Sequence, residues 1–293
     1  MVLSLLWVTL LAPVLITVGL LYTAERLSRH SIPLSILAII AWLPLYAWML
    51  KLPNLPPKQA LDWVWIYLMF AGAGVMCKVV TFHRVNKVAA FQSVTFFITA
   101  GVMIWPAISY NASLASHWSI WLESIVFGLM GVVVLLILIK PLAKADQSGT
   151  AISIHSHIYL WLITGALGVI VIMTGSLLIG SLSIALSSIF VASELYVRFF
   201  YQARLPITPE GLPVSYGLVL LMLLISRVYV DVDIMTFSLL AISVVLASYL
   251  TLKQYHNPAQ YRLLHIVFVT CLAIAIAYTV YSEVLSTQNN GYY

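Results

Sequence analysis

The sequence predicts an all-α, polytopic transmembrane helical bundle of about ten spans. Of its 293 residues, 62% are hydrophobic and only 8% are charged. A soluble domain carries roughly 25% charged residues, so this chain cannot cover a water-facing surface of ordinary size. Its apolar residues fall in runs of roughly 17–25, the length a helix needs to cross a bilayer. Within each run the apolar character is continuous and does not alternate with period two, which argues against a transmembrane β-barrel.

Ten runs qualify. They cover residues 2–22, 32–52, 63–82, 88–109 and 119–139 in the first half, and 158–180, 181–200, 214–230, 234–252 and 264–285 in the second. No polar stretch longer than about 15 residues separates them, so residues 1–293 read as one integral membrane domain. The first run follows Met1 directly, with neither a basic leader nor a small-residue cleavage site. It therefore reads as a retained span and not as a signal peptide. Pro53-Asn54-Leu55-Pro56-Pro57 makes a rigid turn after the second span. Residues 143–156, with Gln147-Ser148-Gly149-Thr150, form the longest polar connection and read as a flexible link. The sixth and seventh runs meet at Gly180 with almost no loop. Together they are too long for one tilted span, so two spans or a re-entrant hairpin are expected there. Pro206, Pro209 and Pro213 prevent the seventh span from continuing. No five-plus-five repeat is visible.

Basic residues orient the spans. The connections after odd-numbered spans, with their flanking turns, hold Arg26, Arg29, Lys78, Arg84, Lys87, Lys140, Lys144, Arg198, Arg204, Lys253 and Arg262. Those after even-numbered spans hold only Lys51, Lys58 and Arg227. Lysine and arginine favour cytoplasmic loops, so both termini are expected outside, in the periplasm of a cell with an inner membrane. The same asymmetry accounts for the net charge of +5 without any nucleic-acid partner. Trp7, Trp48, Trp63, Trp65, Trp105, Trp118 and Trp121 fall near the ends expected outside. They form an interfacial belt or a docking surface for an external subunit. Cys77 and Cys271 both lie in apolar runs and read as small buried hydrophobes, not as a disulfide or a zinc site.

Ionisable groups at membrane depth are costly, so they are the first places to look for function. Glu194 and Arg198 stand four residues apart at the end of the seventh span. On a helix that spacing stacks them on one face, as a neutralised pair or as a proton-linked site. Arg227, Asp231 and Asp233 cluster at the outer end of the eighth span, as an interfacial salt bridge or as a polar mouth for protons or a quinone ring. Glu123 follows His117 at the outer start of the fifth span. It could face water or, with His117, pass protons outward, since quinol oxidation needs a base for each proton. Glu283 reads as interfacial. None of the seven histidines is central in a span, so no b-type haem is expected. No phosphate-binding glycine loop, HExxH or GxSxG motif is present, and no metal is expected.

The stretch Ser193-Glu194-Leu195-x-x-Arg198-x-Phe200-Tyr201 resembles a motif of the membrane anchor subunits of dimethyl-sulfoxide-reductase-type molybdoenzymes. That resemblance implies a helical bundle with external termini. It also implies menaquinone or ubiquinone as the bound cofactor, and an iron–sulfur subunit, paired with a molybdenum subunit, docked on the outer face. It carries Glu194 and Arg198 over as motif residues. A second stretch, His83-Arg84-Val85-Asn86-Lys87-Val88-Ala89-Ala90-Phe91, is similar to the turn between the third and fourth spans of drug/metabolite transporters, which also have ten spans. The expectation is thus a quinol-interacting, electron-transfer subunit of a multi-subunit oxidoreductase in the inner membrane. The alternatives are a ten-helix transporter for a small solute and an assembly scaffold.

Overall fold

The computed structural model describes residues 7–27, 32–50, 57, 59–80, 85–110, 118–148, 156–200, 207–208, 211–253 and 258–290. Ten α-helices lie among them. They are α1 (Ala12–Leu27), α2 (Leu34–Leu50), α3 (Ala60–Val80), α4 (Val85–Tyr110), α5 (Trp118–Ser148), α6 (Ser156–Met173), α7 (Leu177–Phe199), α8 (Leu212–Tyr229), α9 (Ile234–Lys253) and α10 (Pro258–Asn290). One widened π turn, Trp7–Leu11, leads into α1. Each helix overlaps one of the ten apolar runs. Five of the helices are long and apolar enough to cross a membrane, which is compatible with a membrane-embedded protein.

The all-α expectation holds with one small departure. Ile32–Pro33 (β1) pairs in parallel with Ile207–Thr208 (β2), tying the α1–α2 connection to the α7–α8 connection. Two expected boundaries are corrected. The α6–α7 break lies at Gly175 and not at Gly180. Gly175 has φ +105°, a left-handed conformation natural to glycine, and the N–H groups of Gly175 and Ser176 close the turn onto Ile172 and Val171. Gly180 instead sits inside α7, where a Cβ would lie 2.9 Å from the Gly168 carbonyl oxygen of α6. The two helices cross backbone against backbone, as small residues at the crossing allow. The second correction concerns residues 143–148, which continue α5 to Ser148 and are not part of a flexible link.

Hydrogen bonds between helices show that the chain runs back and forth. Tyr159 near the start of α6 meets Tyr261 near the start of α10. Tyr216 near the start of α8 meets Thr251 near the end of α9. Tyr229 at the end of α8 donates to the Met103 carbonyl late in α4. The bundle therefore has a tryptophan end, where odd helices start, and a basic end, where they finish. Helix α8 is its axis. Every residue from Leu212 to Ser226 is buried, because α2, α3, α4, α5, α6 and α9 all pack against it. A helix apolar all round is stable only with such cover or lipid on every side.

Helices α1 and α10 lie at the rim, with Leu15 and Tyr281 about 60% exposed. Cys271 on α10 is half-buried and not fully enclosed, which corrects the sequence reading. The side chain of Cys77 lies outside the described residues.

Candidate functional site

At the tryptophan end, Arg227 organises the α8–α9 turn. Its helix closes on Ser226, whose carbonyl accepts the N–H groups of Val230 and Val232. Asp231 takes φ +59°, a left-handed conformation that aspartate tolerates better than most residues. Asp233 then starts α9, accepting the Met235 N–H at 2.8 Å. Arg227 Nη1 donates to the Val232 carbonyl at 3.1 Å and to Asp231 Oδ1 at 3.2 Å. Its Nε and Nη2 reach across to α5 and donate to Glu123 Oε2 at 3.2 and 3.0 Å.

Exposure separates the two partners. The side chains of Arg227 and Glu123 are 20% and 25% exposed, whereas that of Asp231 is 96% exposed. Water screens the Asp231 pair almost completely, so the Arg227–Glu123 pair carries the interaction. Both Arg227 bonds fall on Glu123 Oε2. Among the described residues, no hydrogen bond reaches Oε1. The sequence placed Arg227 with Asp231 and Glu123 with His117. The fold keeps the Arg227–Asp231 pair and adds Glu123 to it from α5, and His117 lies outside the described residues.

At the basic end, Glu194 and Arg198 form the expected ion pair, Nε to Oε1 at 3.0 Å. The Glu194 side chain is 7% exposed and that of Arg198 46%. The carboxylate is thus held inside while the guanidinium extends towards the end of the helix. One turn earlier on the same face, Phe190 stacks on the buried His157 of α6 with ring centroids 5.5 Å apart.

Sequence reasoning missed a second group at this end. Tyr196 donates its hydroxyl to Glu25 Oε2 of α1 at 2.5 Å. Arg26 lies 5.3 Å above the Tyr22 ring, and Phe200 stacks on Tyr196 at 6.1 Å. These residues border a cleft of about 460 Å³ between α1 and α7. Its signal in the sequence is slight: a carboxylate in the last turn of α1, and a tyrosine within the Glu194–Arg198 stretch.

Helix α8 is 18 residues long, or about 27 Å, so the two ends cannot share one small ligand. The Ser215 hydroxyl of α8, the Tyr67 hydroxyl beside Gly217 of α8, and the Gln92 amide nitrogen of α4 are buried without a hydrogen-bond partner among the described residues. Among those residues, no three histidine, cysteine, aspartate or glutamate side chains come together as a metal site. No protein-family model matches this chain, and neither curated proteins nor solved structures give a match.

Proposed function

We propose that this chain is a quinol-interacting membrane subunit of a multi-subunit oxidoreductase in the inner membrane. In this reading the tryptophan end faces outward, and the reactive mouth is Glu123, Arg227 and Asp231. One observation carries it. Glu123 is a partly exposed carboxylate whose Oε2 is held by arginine while Oε1 takes no hydrogen bond among the described residues. Such an oxygen suits a base placed against a ring hydroxyl. Menaquinol or ubiquinol would supply two electrons and two protons. Glu123 takes the two protons in turn at Oε1, Arg227 holds the carboxylate in place, and the exposed Asp231 opens the cluster to water, which carries each proton away.

Electrons leave to an iron–sulfur subunit docked on the same end. There Trp48 and Trp105 are 77% and 62% exposed, and aromatic side chains of that kind are enriched in docking surfaces. Glu194 and Arg198 hold α7 at the opposite end and bear on proton access from that side. The test is quenching of a fluorescent quinol analogue by the purified protein. Wild type should quench. Glu123→Gln and Arg227→Gln should each weaken binding about tenfold, the cost of one charge-assisted bond. Absent quenching by wild type would overturn the proposal.

A second reading, a small-solute transporter, is favoured by the Tyr67, Gln92 and Ser215 groups, buried without a partner among the described residues. Buried polar groups without partners mark places where a polar ligand could bind. Gradient-dependent uptake by the chain alone in liposomes would establish it. Loss of activity in Glu194→Gln is expected under either reading.

A further inference from the structure

From the α1–α7 cleft at the basic end we infer a binding site for a zwitterionic phospholipid with a primary ammonium headgroup, of the phosphatidylethanolamine type. The site is independent of the quinol mouth, which lies at the other end of the bundle. Its shape follows one face of α1. Leu15, Val18 and Gly19 line the deeper part, and Tyr22, Glu25 and Arg26 the part nearest the helix end. The spacing i, i+3, i+4, i+7, i+10 and i+11 puts all six on a single stripe. Along that stripe the surface changes from apolar to aromatic to charged, the same order as a phospholipid read from chain to headgroup. The cleft opens at the rim: Leu15 is 60% exposed, Tyr22 52% and Phe200 64%.

The charges choose the headgroup. Glu25 presents a carboxylate at the C-terminal end of α1, where the helix dipole also favours a cation. Tyr22, Tyr196 and Phe200 border the cleft with aromatic rings, which attract ammonium groups. Arg26, beside them, supplies the positive charge that a phosphate requires. An anionic lipid would place its net charge against Glu25. A choline headgroup satisfies the rings but offers the carboxylate no N–H donor. An ethanolamine phospholipid offers the Glu25 carboxylate an N–H donor and the Arg26 guanidinium a phosphate. Gly19 leaves room for the chain, since nothing lies within 4 Å of a Cβ built there.

The experiment is native mass spectrometry of the full-length protein in detergent, titrated separately with phosphatidylethanolamine, phosphatidylcholine and phosphatidylglycerol. The ethanolamine lipid should bind most tightly. Glu25→Gln should weaken it about tenfold, as removal of a charged hydrogen-bond partner does. Gly19→Leu should block the groove to a similar extent without lowering the melting temperature, because nothing lies within 4 Å of the Cβ position. Equal binding of the three lipids would overturn the inference. So would unchanged ethanolamine-lipid binding in both variants, or displacement of that lipid by a quinone.

Discussion

Replacing Arg227 with leucine tests the geometry of the tryptophan end. The substitution removes bonds to Glu123 Oε2, Asp231 Oδ1 and the Val232 carbonyl. These do not count equally. Asp231 is 96% exposed, so its share is screened to nothing measurable. Glu123 is 25% exposed, so most of its shell is protein and its loss is felt. One largely buried charged hydrogen bond contributes about 1.5–3 kcal/mol. Discounting for the exposed fraction and adding the Val232 bond gives a cost of about 2 kcal/mol. Thermal denaturation in detergent, combined with double-mutant cycles, measures it. Arg227→Leu with Glu123→Gln should show a coupling of about 1 kcal/mol. Arg227→Leu with Asp231→Asn should show none. Equal couplings, or coupling to Asp231 alone, would refute the reasoning.

Two further substitutions probe the packing. Gly180→Leu should destabilise the protein by about 3 kcal/mol, the upper range for overpacking, because the side chain meets Ile172 and the Gly168 backbone. Gly72→Ala, with open space at the same distance, should not destabilise by packing, and melting temperatures compare the two. Gly217→Ala would drive a methyl group against the Tyr67 phenol. It should lower the melting temperature, and adding Tyr67→Phe should restore part of the loss. Tyr67→Phe alone should cost little, since it deletes a buried hydroxyl without a partner among the described residues.

The number and order of the helices among the described residues were legible because each contains a long, continuous apolar run. The α6–α7 boundary was not. Gly175 and Gly180 look alike in sequence, yet one adopts positive φ and the other permits a backbone crossing. Only the neighbouring helix distinguishes these uses of glycine. Local pairs were read correctly: Glu194 with Arg198, and Arg227 with Asp231, each obey the i, i+4 rule. The pairs that join helices were invisible. Arg227 and Glu123 are 104 residues apart, and Tyr196 and Glu25 are 171 apart. No periodicity connects such positions. They meet because α8 is the shared axis and α1 flanks α7.

Cysteine labelling with a membrane-impermeant maleimide tests most directly whether the Glu123–Arg227–Asp231 mouth faces outward. Cys77 and Cys271 are first replaced, and single thiols are introduced as Asp231→Cys and Phe200→Cys, both at exposed positions. On intact cells the thiol at position 231 should react at once, and that at position 200 only after permeabilisation. The opposite pattern would put the mouth in the cytoplasm and contradict the outward route for protons and electrons.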